Sequence, residues 1–214
     1  MKRIVVLLMA VCYTVFAYSQ NYEPFCCVTQ GAELKYVTTD AKGKKETGSS
    51  VTKINSVTGA NGNYTVSQTV TVYANDTQVV PPMKVTAVIN NGNASLALGG
   101  GMAIDINSSV PVIPADLSVG KELACGDIVV NMNGIKSTQT IHTHKVVAQE
   151  TLTTPAGTFD CYVVEQNYTA KVAFIKVTGS QKIWYARGIG NVKTEVYDKK
   201  GKLASIQTLT EFTK

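Results

Sequence analysis

His142 and His144 are the only histidines in the 214-residue chain, and their spacing suits one kind of chemistry. In a β-strand, residues i and i+2 point to the same face, so the two imidazoles could bind one metal ion. The pair supplies half of a zinc site. The other ligands must come from elsewhere, because Glu150 lies too far along the same strand and the cysteines are expected to be oxidised. The plain alternative is an exposed pair between Thr140 and Val146. A serine or cysteine triad would have to recruit one of these same histidines, and there is no Gly-x-Ser-x-Gly elbow. Gly188-Ile189-Gly190 has no helix after it to cradle a phosphate and reads as a bend between strands. With no convergent acid, base and nucleophile, we expect no catalytic residues, no metal and no cofactor.

The cysteines point to a structural role. Cys26, Cys27, Cys125 and Cys161 follow Cys12, and none forms a Cys-x-x-Cys motif. A bond between the vicinal Cys26 and Cys27 would be strained. Cys161 alternates with Phe159 and Val163 on what should be the core-facing side of a strand, and Cys125 precedes the turn at Gly126-Asp127. We expect a Cys125–Cys161 disulfide. Trp184 is the only tryptophan and adjoins Tyr185. Both side chains suit a boundary between apolar and polar surroundings, so Trp184 and Tyr185 are the candidate ligand-binding residues, against the alternative that they fill the core.

The elements that must position these residues are strands. Tyr64, Val66, Val70 and Val72 alternate with threonine and serine, and Met83, Val85, Ala87 and Ile89 repeat the period of two, as do Ile128, Val130 and Met132. Turn signals separate the runs at Asp40-Ala41-Lys42-Gly43, Ala60-Asn61-Gly62-Asn63, Asn90-Asn91-Gly92, Pro155-Ala156-Gly157 and Lys199-Lys200-Gly201. Asp40 to Lys44 is echoed by Asp198 to Lys202, which turn chemistry explains without duplication. Ala94 to Asp105, with Gly99-Gly100-Gly101, reads either as a broken short helix or as two edge strands joined at a tip. Ser108 to Leu123 carries Pro111 and Pro114 and reads as a long connection across one end of the sheet. The expected fold is all-β, antiparallel and built from hairpins.

The chain opens with Met1-Lys2-Arg3, an apolar run from Ile4 to Ala17, and Ala17-Tyr18-Ser19 before Gln20. These are the charged, apolar and small-residue regions of a secretory signal peptide. We expect residues 1–19 to be removed and residues 20–214 to form a single all-β domain with no transmembrane segment. Without Lys2 and Arg3 the net charge falls from +5 to +3, that is 18 basic minus 15 acidic residues. The basic residues form no stripe with interleaved aromatics, so a nucleic-acid partner is not expected.

Three tracts resemble a family of exported Bacteroidetes proteins of unknown function, the TapB-like family: Thr153 to Tyr162, Trp184 to Glu195, and Tyr197 to Lys202. Gly31 to Tyr36 and Asp116 to Gly120 are similar as well. The resemblance implies a curved antiparallel sheet, a half-barrel or open barrel, similar to lipoprotein carriers that hold acyl chains on a concave apolar face. It implies no catalytic residues, and the chain lacks an evident lid helix.

We therefore expect an exported, non-catalytic protein of the periplasm or cell surface, binding an apolar small molecule or lipid on its curved sheet. The alternative is a structural or assembly role with another envelope protein as partner. A third reading is a metal-dependent enzyme built on His142 and His144.

Overall fold

The computed structural model describes residues 23–98, 112–132, 135–172 and 174–214. The expected signal peptide and the Gly99-Gly100-Gly101 tract lie outside them. The described residues contain twelve strands and no helix. The first six are β1 (Glu33–Asp40), β2 (Glu46–Ala60), β3 (Asn63–Ala74), β4 (Thr77–Gln78), β5 (Met83–Asn90) and β6 (Asn93–Leu98). The second six are β7 (Asp127–Met132), β8 (Ile135–Thr154), β9 (Gly157–Val172), β10 (Ile175–Ala186), β11 (Gly190–Asp198) and β12 (Leu203–Thr213).

All pairings are antiparallel. The strand order is β6-β5-β3-β2-β1-β12-β11-β10-β9-β8-β7, with the short β4 beside β3. Two hairpin arrays, one from each half of the chain, are thus joined where β1 pairs with β12, and the sheet curls into a half-barrel. The bend is built into the strands. Bulges fall at Lys35/Tyr36, Ile54/Ser56, Ile141/Thr143, Val146/Ala148 and Trp184/Tyr185, and each adds local twist and curvature.

Hairpin tips follow directly from residue type. Asn61-Gly62 and Asn91-Gly92 all have positive φ, at 53°, 80°, 50° and 79°, the backbone that a two-residue type I′ turn demands. The two tips also touch, with Gly92 N–H donating to the Gly62 carbonyl at 2.7 Å. At the other end of the sheet, Asp40 Oδ1 accepts from the backbone N–H of Lys42, Lys44 and Lys45, and Asp198 Oδ1 from Lys200 and Lys202. Those bonds hold both carboxyls below the ordinary aspartate range. The echo between the two tracts is therefore shared turn chemistry.

The long connection is confirmed in its described part, and it does more than cross one end. Ile113 makes a two-way backbone bridge with Ala94 of β6, while Gly120, Lys121 and Leu123 bond to His144 and Val146 of β8. Residues 112–123 are a strap linking β6, at one end of the strand order, to β8, next to the other end. Its own Ala115, Leu117 and Leu123 are buried.

Two apolar clusters result. One gathers Leu34, Ile54, Val66, Ala87 and Ile89 with Cys161, Trp184, Val192 and Leu209. The other contains Phe25, Leu117, Leu123, Val146 and Val164, with Tyr162 and Tyr185 packed against it.

Candidate functional site

A cavity of about 360 Å³ lies inside the curl, a size typical of small-molecule sites. Its walls come from both hairpin arrays: Leu34 and Tyr36 on β1, Gln68 on β3, Ile141 and His144 on β8, Gln166 on β9, and Gln181, Ile183 and Tyr185 on β10. The β10 contribution is the i, i+2, i+4 set that one face of a strand supplies. Among the described residues, no Asp, Glu, Lys or Arg lines it. A second hollow of about 590 Å³ adjoins it and shares Tyr36, Thr52 and Asn191, extending the trough over β1, β2 and β3.

Two segments outside the sheet complete the wall. Phe25, Cys26 and Cys27 come from the stretch before β1, and Ile113 from the strap. Arg187 ties both in place. Its Nη1 donates to the Glu23 carbonyl at 2.9 Å and its Nη2 to the Ala115 carbonyl at 2.7 Å, while its guanidinium carbon lies 4.5 Å from the Phe25 ring centre. Phe25 meets Tyr162 edge to face at 5.8 Å. Gly188 has φ of 69°, which disfavours any other residue there, donates its N–H to the Pro24 carbonyl at 2.8 Å, and lies against the Glu23 carboxyl. The Ala-Arg-Gly-Ile-Gly tract thus closes the cavity with its own backbone and one arginine.

The polar wall is mostly amide. His144 pairs across the ladder with Gln166, and Gln166 with Gln181. His144 and Gln166 are each only 4% exposed. The His144 Nδ1 lies 3.1 Å from the Ala124 carbonyl. A carbonyl only accepts, so Nδ1 carries the proton and Nε2 is left as an acceptor. Burial lowers the His144 pKa from its usual value and keeps the ring neutral, with the bond to Ala124 opposing in part. Burial likewise raises the Tyr185 hydroxyl to about 12.

The two expected ligand residues are separated. Tyr185 lines the cavity; Trp184 does not. Trp184 is 6% exposed within the first cluster, donates its indole N–H to Glu150 Oε1 at 2.6 Å, and carries the Lys193 ammonium 4.6 Å above its ring.

The histidine pair is separated too, which corrects the same-face expectation. The β8 bulge places Ile141 opposite Tyr168 and Thr143 opposite Asn167, leaving His142 as the extra residue. His142 is exposed and bonds Thr169 Oγ1 at 2.9 Å. Among the described residues, no three His, Cys, Asp or Glu side chains come together as a metal site requires.

The expected Cys125–Cys161 disulfide is also corrected: Cys26, Cys27, Cys125 and Cys161 are all free thiols. Gly126 bonds Ile141, whereas Cys161 pairs with Glu150, nine residues further along β8. At strand rise that is roughly 30 Å, far beyond what a disulfide spans. Cys161 is buried with Sγ 3.6 Å from the Phe159 carbonyl, and burial raises its pKa to about 11. Burial also pushes Cys26 up to about 12. Neither is a thiolate nucleophile.

Phe25, Arg187, Asn191 and the cavity glutamines were not among the expected site residues. One local signal was available for Gln166: it stands where the alternation of Tyr162 and Val164 calls for another inward residue.

Among solved structures, one from Bacteroides fragilis, described as an exported protein with a YmcC-like fold, matches with a TM-score of 0.78 at 19% identity, covering 90% of this chain and 100% of that one. A lipoprotein structure from Parabacteroides distasonis matches with a TM-score of 0.76 at 21% identity, covering 89% and 99%. At these identities the likeness is one of fold. No curated protein matches. The DUF3108-like family matches residues 29–209, most of the sequence, and the chain belongs to that family.

Proposed function

We propose that this is an exported, non-catalytic envelope protein that holds an uncharged apolar or lipid-like molecule against the concave face of its sheet. The observation that carries this reading is the cavity itself: about 360 Å³, walled in part by the strap and the Phe25 segment, and without a charged side chain among the described residues of its wall. An apolar enclosure with a few placed polar groups is the usual form of a small-molecule site. Tyr185 is the aromatic we assign to the ligand. The opening signal sequence supports export, as do the two fold relatives described as exported and as a lipoprotein.

Filling the cavity tests the proposal. An uncharged fatty-acid methyl ester, titrated by calorimetry, should bind the wild-type chain, and Ile183→Trp should reduce that binding at least tenfold while the chain stays folded. Equal binding by the two chains would place the ester elsewhere and remove the cavity from the account.

A structural or assembly role has one observation in its favour. Phe174, Ile175 and Val177, at the β9–β10 tip, are exposed apolar side chains, the kind of patch that partners cover. An envelope protein captured by the wild-type chain but not by Phe174→Ser would support it.

A further inference from the structure

His144 Nε2 is buried and has no hydrogen-bond partner among the described residues. Its other ring nitrogen is committed to the Ala124 carbonyl, and its backbone carbonyl to the Leu123 N–H of the strap. The ring is thus held from both sides, with the Nε2 lone pair facing no donor at the wall of a cavity that no charged side chain lines among the described residues. Asn191, across the same cavity, has a second buried orphan. Its amide nitrogen bonds Thr194 Oγ1 at 2.9 Å and leaves Oδ1 without a partner. A hydroxyl can donate as well as accept, so whichever end of the amide meets Thr194, the other end stays free.

Native interiors rarely leave such groups unpaired, because an unmade bond to a buried acceptor costs about 1–3 kcal/mol. Lone apolar contents would leave that cost in place; a donor delivered by a ligand removes it. The surrounding glutamines, Gln68, Gln139, Gln166 and Gln181, can both donate and accept, so they suit hydroxyl or amide groups and give a carboxylate or phosphate no cation. Taking an anion into such a wall carries a large desolvation penalty with no partner to offset it.

We propose that the cavity recognises an uncharged amphiphile by a hydrogen-bond donor on its head group, with His144 Nε2 as the receiving atom and Asn191 as the second polar anchor. This rests on the cavity being the ligand site. The class is a neutral hydroxyl-bearing lipid, as in a monoacylglycerol, and excludes fatty-acid anions and phospholipids. The adjoining hollow continues from the cavity over β1, β2 and β3, with Val70, Val72, Ala74 and Val79 set among threonines and serines, and offers the rest of the molecule a partly apolar path.

Three molecules with one acyl chain test it on the full mature protein: a monoacylglycerol, the corresponding methyl ester, which has no donor, and the fatty-acid anion. Calorimetry should find the monoacylglycerol bound about tenfold or more tightly than the ester, the factor expected for one donor meeting a buried acceptor, and the anion weakest. In His144→Leu the monoacylglycerol should fall to the ester's affinity while the ester keeps its own. His144→Gln, which restores an acceptor, should recover part of the preference. The wild-type series stands alone if either variant fails to fold. Equal binding of monoacylglycerol and ester, as an internal water on Nε2 would produce, overturns donor recognition and leaves the cavity reading intact. Preference for the anion overturns it equally. Failure of both neutral molecules to bind overturns both proposals together.

Discussion

Trp184 and Tyr185 are neighbours on one strand, yet they belong to two regions built on opposite rules. On the Trp184 side the polar contacts are made: the indole N–H has Glu150, and the ring has the Lys193 ammonium over it. Around it, Cys161, Val163, Ala186 and Val192 are buried and packed together. On the Tyr185 side a space of about 360 Å³ is left open and two polar atoms are left unpaired. The first region stabilises the sheet. The second gives up packing and hydrogen bonds that a chain selected only for stability would make.

If that contrast holds, substitutions on the two sides should differ in kind. Trp184→Ala should produce the largest loss of stability, about 3–5 kcal/mol for a buried aromatic truncated in a packed cluster, read as a drop in the denaturation midpoint. Tyr185→Phe should leave the midpoint nearly unchanged and alter only ligand affinity. A small effect of Trp184→Ala would erase the contrast.

Arg187→Ala should come next. It removes two charge-assisted bonds to backbone carbonyls and the cation over Phe25, and hydrogen bonds to charged groups contribute about 1.5–3 kcal/mol each. The loss should be local. Amide exchange should accelerate at residues 23–28 and 112–123 while β1, β12 and β11 keep their protection. Uniform acceleration would show instead that the closing segments and the sheet unfold as one unit.

The smallest effect should be a pH dependence traced to the orphaned side. Burial depresses the His144 pKa, so the native state keeps the ring neutral while the unfolded chain takes up a proton below about 6.5. Stability should therefore be full above that pH, fall as pH drops through it, and level off once the folded value is passed. The slope cannot exceed about 1.4 kcal/mol per pH unit for one proton. His144→Gln should flatten it. Asp40, Asp116 and Asp198 have depressed values and act at lower pH, so the window between about 5 and 6.5 reports the histidine. An unchanged slope in the variant would assign it to other groups.

What could be read from residue order follows the range of the interactions involved. Asn61-Gly62 and Asn91-Gly92 specify their turns through backbone preference alone, and Val85, Ala87 and Ile89 show their buried face by alternation. Cys161 was rightly placed on an inward face, but its partner was not, because register along β8 decides distance. The same strand hid the fate of the histidines. One bulged residue at position 142 turns an i, i+2 pair to different environments, and nothing local in Thr140 to Val146 announces it. The strap and the Arg187 contacts join residues far apart in sequence, which no window along the chain can reveal.

The claim that one side of the sheet is built to hold a small uncharged molecule is tested most directly by mass spectrometry of the protein isolated from the cells that make it, under native and then denaturing conditions. A neutral lipid or similar molecule should appear in the native mass and be released on denaturation, and Ile183→Trp should lose it. A native mass equal to the bare chain, unchanged by adding monoacylglycerol or methyl ester, would contradict it.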